Sequence, residues 1–367
     1  MNTNNSLIPQ SNNQLVKTAN LIAITNKLIR EITINESHWK WWEELDNIWK
    51  IIFIKTINHE LVFKAQKHEF VSINVTTINE NEKVLKPTEK ELTKVLRINS
   101  LKIPNANIGN LEPIAQLKLL VELDCEVCKI ESLEPLRHLK NLVSLNLDYN
   151  NVEDLEPISE CLNLKELSIS SNQIKNIEAI SKLNKLLKLN LSDNLIKDLS
   201  PLTNLNALKE IQFSDNLIKN IDFLQNKKHL EKAIFYRCNI KDISALKNLT
   251  KIKKLDFYNN KVADLNPIIE LTEIRELNIS SNEIKDISQI SNCTNLEILE
   301  FSYNKIEVIN ALSNLKNLRY LYMANNPIKN LSSLYSLSNL EEISINSNIG
   351  SQEIKGFKSA QPNCKVL

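Results

Sequence analysis

A period of 22 residues runs through this chain from Ile98 to Asn348, twelve times over, with no insertion or deletion. Written from the first apolar position, the unit is L-x-x-L-x-L-x-x-N-x-I-x-x-L-x-x-L-x-x-L-x-x, with starts at Ile98, Leu120, Leu142 and so on to Leu340. Eleven units are complete, and each offers seven apolar positions; Lys227 is the one residue that breaks the pattern. A fixed period of this length cannot fold into a ball. Each unit is too short to bury its own apolar face, so successive units must stack and share one long core.

Within a unit the order of signals predicts the path of the chain. In Leu164–Lys185 the alternation Leu167-x-Ile169 reads as a short strand with one buried face. Asn172 follows where the chain turns, and nine of twelve units carry Asn there. A side-chain amide both donates and accepts, so stacked copies can satisfy the backbone groups inside the turn. Ala106, Cys128 and Cys238 are the exceptions. A row of Asp or Asn (Asp154, Asn176, Asp198, Asn220, Asp242, Asp264, Asp286, Asn330) then reads as N-caps of short helical turns, with Pro113, Pro135, Pro157, Pro201 and Pro267 at their starts. The return segment is too short for an α-helix, so 3₁₀ turns are expected on the convex side. Twelve strands would form a parallel sheet roughly 50–55 Å long on the concave side.

This unit resembles the 22-residue class of leucine-rich repeats shared by the regulatory subunit of type-1 protein phosphatase and by bacterial internalins. N-x-I-x-D-[LI]-x-P-L, as in Asn150–Ile158 and Asn194–Leu202, carries the resemblance, which covers about two-thirds of the chain. The segment Phe357–Val366 resembles the closing segment of such arrays. The resemblance implies an α/β solenoid, a curved protein-binding scaffold and no catalytic activity. It leaves the partner open, because phosphatase regulators and adhesins share the unit.

Residues 1–97 do not repeat. Residues 1–35 read as a polar tail with a rough helical stripe over Gln14–Arg30. All four tryptophans lie in His38–Ile57, where Trp42, Leu45, Trp49, Ile52 and Phe53 would share one helical face. Pro87-Thr88-x-x-Glu91 is a capping-box start for a helix running through Leu96 into the first strand. W-W-x-x-L followed by W-K-x-I-F and P-T-x-x-E-L resembles the N-terminal region of cytoplasmic repeat proteins from Bacteroidetes-type bacteria. Residues 36–97 are therefore expected to cap the solenoid, residues 98–348 to form the array and residues 349–367 to close it. A Trp-rich interaction module over residues 36–97 is the other reading.

Composition narrows the functional classes. Formal net charge is +1, which argues against bulk attraction to nucleic acid or anionic membrane. No apolar run approaches the ~20 residues that span a bilayer. Met1–Gln14 lacks a basic region and an apolar stretch, so no export signal is read and a cytoplasmic location is expected. Of six cysteines, five sit at repeat positions that need a buried residue, which makes Cys125-x-x-Cys128 a packing feature rather than a redox or zinc half-site. Five scattered His, three Gly and no G-x-S-x-G leave no metal, phosphate or nucleophile motif. Neither an enzyme, a cofactor nor a small-molecule substrate is expected.

The third, fifth, seventh and eighth positions of each unit should face out of the concave sheet. Six of the seven tyrosines occupy them, and five of those six fall in units seven to eleven. β-propensity alone would scatter them evenly, whereas exposed aromatics are strong binding anchors. The expected partner-binding residues are Tyr236, Arg237, Lys254, Tyr258, Glu276, Glu300, Tyr303, Tyr320 and Tyr322. Glu122, Asp124, Glu126, Asp148 and Glu166 form a second, acidic patch. Lys175, Lys197, Lys219, Lys241, Lys285 and Lys329 form a row on the flank, read as solvated surface that discourages lateral aggregation. The function that follows is a non-catalytic scaffold holding another protein on its concave face. The alternatives are an adaptor signalling through its Trp-rich region, and a phosphatase-regulator-like subunit.

Overall fold

The computed structural model describes residues 32–58, 84–345 and 349–367. The stripe over Gln14–Arg30, His59, His68 and Asn348 lie outside the described residues. The array is a solenoid built on one 13-stranded parallel sheet in which every strand neighbours the next in sequence. Strands β1 (Ser100–Lys102) to β12 (Glu342–Ser344) fill the third to fifth positions of the twelve units. Register is set by the period: Ser100 pairs Glu122, Lys254 pairs Glu276 and Ile298 pairs Tyr320, each 22 residues on. The convex side returns in 3₁₀ turns of three or five residues, as expected from the short span, such as Glu134–Leu136 and Glu178–Lys182.

The asparagine row does what its chemistry predicts. Asn216 Nδ2 donates to the carbonyls of Leu191 (2.9 Å), Phe213 (3.1 Å) and Ser214 (3.1 Å), and its Oδ1 accepts from Ile196 N–H (3.0 Å). One side chain thus stitches two units inside the core, where an orphaned backbone group would be costly. At the two cysteine exceptions the thiol takes over donation: Cys128 Sγ lies 3.0 Å from Ile103 O and Cys238 Sγ 3.4 Å from Phe213 O. All six cysteines are free and buried. Phe213, Phe235 and Phe257 stack through the core with ring centroids 5.3 and 5.8 Å apart.

Three expectations need correction. The sheet has thirteen strands, because the closing segment adds β13 (Lys365–Val366) beside Glu342 and Ile343. The Asp and Asn row does not occupy the N-cap. Each residue sits one place earlier and accepts from the N–H two residues on, as in Asp154 Oδ1 from Glu156 N–H (2.9 Å) and Asp198 Oδ1 from Ser200 N–H (2.8 Å). A 3₁₀ turn of three residues is too tight for the longer N-cap reach, so the side chain closes an Asx turn instead. The Trp-rich stretch is two helices, α1 (Glu36–Glu44) and α2 (Asn47–Ile57), since Asp46 accepts from Trp49 N–H (2.9 Å) and starts a second helix.

Both ends of the described array are covered. Helix α3 (Glu89–Leu96) begins at the expected capping box, with Thr88 N–H donating to Glu91 Oε2 and Glu91 N–H to Thr88 Oγ1. Trp42, Trp49, Phe53, Leu92 and Val95 are buried in the same core as Ile98 and Leu101 of the first unit. At the far end α4 (Ser351–Ala360) buries Phe357, and Gln361 Nε2 donates to Tyr335 O (2.9 Å).

Candidate functional site

Each unit delivers its concave residues by the same backbone path. The fourth and sixth positions go inward, so the third, fifth and seventh face out. The eighth then takes a left-handed backbone in every described unit, from Asn105 (φ 61°) to Asn325 (φ 57°). That conformation turns the ninth residue, Asn, back into the core. Asn and Asp tolerate it best, and they hold Asn105, Asp193, Asp215, Asn259 and Asn325. Val127, Tyr149, Arg237 and Tyr303 do not have that excuse, and each carries about 1 kcal/mol of strain. The period located these four side chains but contained no sign of the backbone state beneath them.

The nine expected binding residues do not form one cluster. Tyr236 and Tyr258 meet with ring centroids 6.5 Å apart. The Arg237 guanidinium lies 5.2 Å from the Tyr236 ring centre and also bonds Asp215 at 2.7 Å. Lys254 and Glu276 pair with each other across adjacent strands. Tyr320 leans to the edge of the sheet, where its hydroxyl donates to Glu341 (2.8 Å) under the Arg319 guanidinium. Tyr322 donates to Glu342 (2.8 Å), a bond that pushes its phenol up to about 12. Tyr303 stands free, 62% exposed. Tyr236, Tyr258 and Arg237 therefore make one group over units seven and eight, Lys254 and Glu276 a separate pair at the other end of the strands, and Tyr320 and Tyr322 lie further on in unit eleven.

The acidic patch is held together by the sheet. Lys102 bridges Glu122 at 2.7 Å, and Asn146 Nδ2 donates to Asp124 (3.1 Å). Asp148 accepts from Ser168 Oγ and from Ser170 N–H. Glu166 shares Lys188 with Glu210 (3.5 and 3.7 Å). Burial raises the carboxyls of Asp124 and Glu126 above the usual range, and for Glu126 the nearby Asp124 and Asp148 add to it. The same desolvation raises Asp256 and Glu300 near the tyrosines. Between the two regions lies a shallow cavity of about 250 Å³, lined by Ser144, Asn146, Glu166, Ser168, Lys188 and Asn190 among others. Among the described residues no three His, Cys, Asp or Glu side chains converge on a metal position, and no helix is long and apolar enough to cross a membrane.

Comparison with known proteins agrees with this architecture. A leucine-rich-repeat family model matches residues 272–328, and a two-copy leucine-rich-repeat model matches 140–184, 162–204 and 316–359. The crystal structure of the internalin InlF from Listeria monocytogenes superimposes with a TM-score of 0.74 at 25% identity, over 88% of each chain. A leucine-rich-repeat protein of Leptospira interrogans gives 0.56 at 21% identity, over 77% of this chain and 93% of that one. The plant peptide hormone receptor RGFR1, solved in complex with RGF2, gives 0.60 at 22% identity, over 76% and 48%. No curated protein sequence matches the chain. The fold is a leucine-rich-repeat solenoid with short 3₁₀ turns and a small helical N-terminal region.

Proposed function

We propose that this leucine-rich-repeat chain is a non-catalytic scaffold that holds another protein on its concave face, with Tyr236, Tyr258 and Arg237 as the anchor. Leucine-rich repeats typically mediate protein–protein contacts, and RGFR1, which shares the fold, was solved holding a partner. The observation that carries the reading is the aromatic pair over units seven and eight. Tyr258 is 37% exposed although it lies on a sheet whose other floor residues are mostly Ser, Asn and charged side chains. Tyr loses little side-chain entropy per unit of area it covers, and the longer Arg237 is already held by Asp215. Lys254, Glu276 and Glu300 would tune orientation and association rate more than affinity. The acidic patch of units two to four gives a second contact region.

The Trp-rich region is read as a cap rather than a signalling module, because Trp42 and Trp49 are enclosed in the core and unavailable to a partner. The phosphatase-regulator alternative has only the class of repeat in its favour. The test is crosslinking mass spectrometry on tagged protein from its host's lysate, beside a Tyr236/Tyr258/Tyr320/Tyr322→Ser variant. Loss of a partner crosslinked to units seven to eleven, with thermal unfolding nearly unchanged, supports the concave scaffold. A partner retained by the variant and crosslinked to residues 36–97 overturns it.

A further inference from the structure

The loop that leaves each concave strand presents a second surface. At positions ten to twelve burial alternates: Leu195 and Lys197 are exposed while Ile196 is buried, and Leu217 and Lys219 repeat the pattern around Ile218. Residues two apart on such a segment face the same way. The segments are hydrogen-bonded from unit to unit, Leu195 N–H to Ile174 O (2.9 Å) and Leu217 N–H to Ile196 O (2.9 Å), so equivalent side chains stack in rows. One row over units four to seven is Lys175, Lys197, Lys219 and Lys241. The adjoining row carries Leu195 and Leu217 at its centre.

Two features set this surface apart from ordinary solvated flank. The four lysines are exposed and make no ion pair or hydrogen bond to any described residue; lysines elsewhere such as Lys118 and Lys140 are likewise unpaired, and what distinguishes the four is that they hold the same position in four successive units. Asp198 and Asp242 follow two of them in sequence, but their carboxylates are turned to the backbone of Ser200 and Ser244. The two leucines are 41% and 51% exposed, side by side, with nothing in the repeat pattern that requires an apolar residue there. In the other complete units position ten holds Asn, Gln, Lys, Glu or Pro.

We propose that this flank docks an acidic amphipathic helix of a partner protein, its carboxylates on the lysine row and its apolar side chains on Leu195 and Leu217. The proposal does not rest on the concave-face reading, since it uses other residues on another face. Spacing favours a helix. Rows recur about every 4.8 Å, so four rows span about 14 Å. A helix brings the same face round every 5.4 Å, about 16 Å over three turns, and lysine stems absorb the difference. Same-face residues of an extended peptide recur near 6.7 Å and would overshoot by about 6 Å. A membrane would need a broader apolar face than two leucines.

The test uses the full chain and a fluorescein-labelled helical peptide with Glu along one stripe and Leu along the next. Its controls are a shuffled peptide of the same composition and vesicles containing phosphatidylserine. The ordered peptide is expected to bind and the shuffled one to bind at least about tenfold more weakly. Lys175/Lys197/Lys219/Lys241→Gln should lower affinity about tenfold or more, and Leu195/Leu217→Ser about three- to tenfold. Neutralising four convex-side lysines instead (Lys118, Lys140, Lys228, Lys251→Gln) should leave it within about twofold at about 0.15 M salt. No binding of the ordered peptide at about 100 μM, equal binding of the shuffled one, equal loss in the convex control, no effect of the leucine change, or binding to vesicles alone would each overturn the proposal.

Discussion

Lys227 occupies the last apolar position of unit six, where other complete units have Leu or Cys, and it is fully enclosed. Among the described residues its one hydrogen-bond acceptor is Thr203 O at 2.5 Å, and no carboxylate pairs with it. Desolvation lowers its ammonium from the ordinary 10.5 to about 8. A drop of that size corresponds to about 3 kcal/mol of destabilisation while the group stays charged. The folded-state value lies below the unfolded one. Below pH 8 both states carry the proton and the folded state bears the full cost. Between about 8 and 10.5 the unfolded chain holds more protons, so stability rises with pH, and above 10.5 the cost is gone. Lys227→Leu removes the charge and restores the repeat. Urea unfolding of both proteins at pH 7, 8.5 and 10 isolates the effect, because all other titrations cancel in the difference. The variant is expected to be more stable by about 3–4 kcal/mol at pH 7, counting about 1 kcal/mol of added apolar burial. The gap should fall to about 2 kcal/mol by pH 10, where the unfolded ammonium is still partly charged, and approach that last contribution only above 10.5. A gap that stays constant with pH, or a less stable variant, would refute the reasoning.

The stitching role of the asparagines predicts that Asn216→Ala lowers stability by about 2–4 kcal/mol, since it strands the Leu191 carbonyl and the Ile196 N–H inside the core and removes one of the donors to the Phe213 and Ser214 carbonyls. Hydrogen exchange should localise the loss to units five and six; a loss below about 1 kcal/mol would mean water replaces the side chain. At the closing end a Cβ on Gly356 would run into the Tyr335 hydroxyl. Gly356→Ala should therefore lower the melting temperature, and adding Tyr335→Phe should recover most of it. No recovery would place the strain elsewhere.

How far this molecule could be read before its structure depends on whether a feature repeats. Strand positions, register, the Asn ladder and the buried phenylalanines follow from one constraint, that every unit stacks on the last, so one correct unit gives eleven more. Apart from the Asp and Asn row, misplaced by one residue in every unit that carries it, the failures lie where the repeat is silent. The break between α1 and α2 is local capping by Asp46, and β13 is a single strand that no second copy announces. The left-handed eighth position recurs in every described unit, yet its residue types (Asn, Asp, Ser, but also Val127, Tyr149, Arg237 and Tyr303) are too mixed to signal a backbone state. Exposure of the tyrosines was legible, but their grouping was not, because a side chain's lean depends on neighbours one unit away. Tyr320 turns outward to Glu341 while Tyr236 turns toward Tyr258, though each is a Tyr on the same face. The period fixes where a side chain starts; its non-repeating neighbours decide what it meets. Any binding surface on this array therefore has to be sought in departures from the repeat, such as paired tyrosines on a floor of polar and charged side chains or two leucines in a polar row.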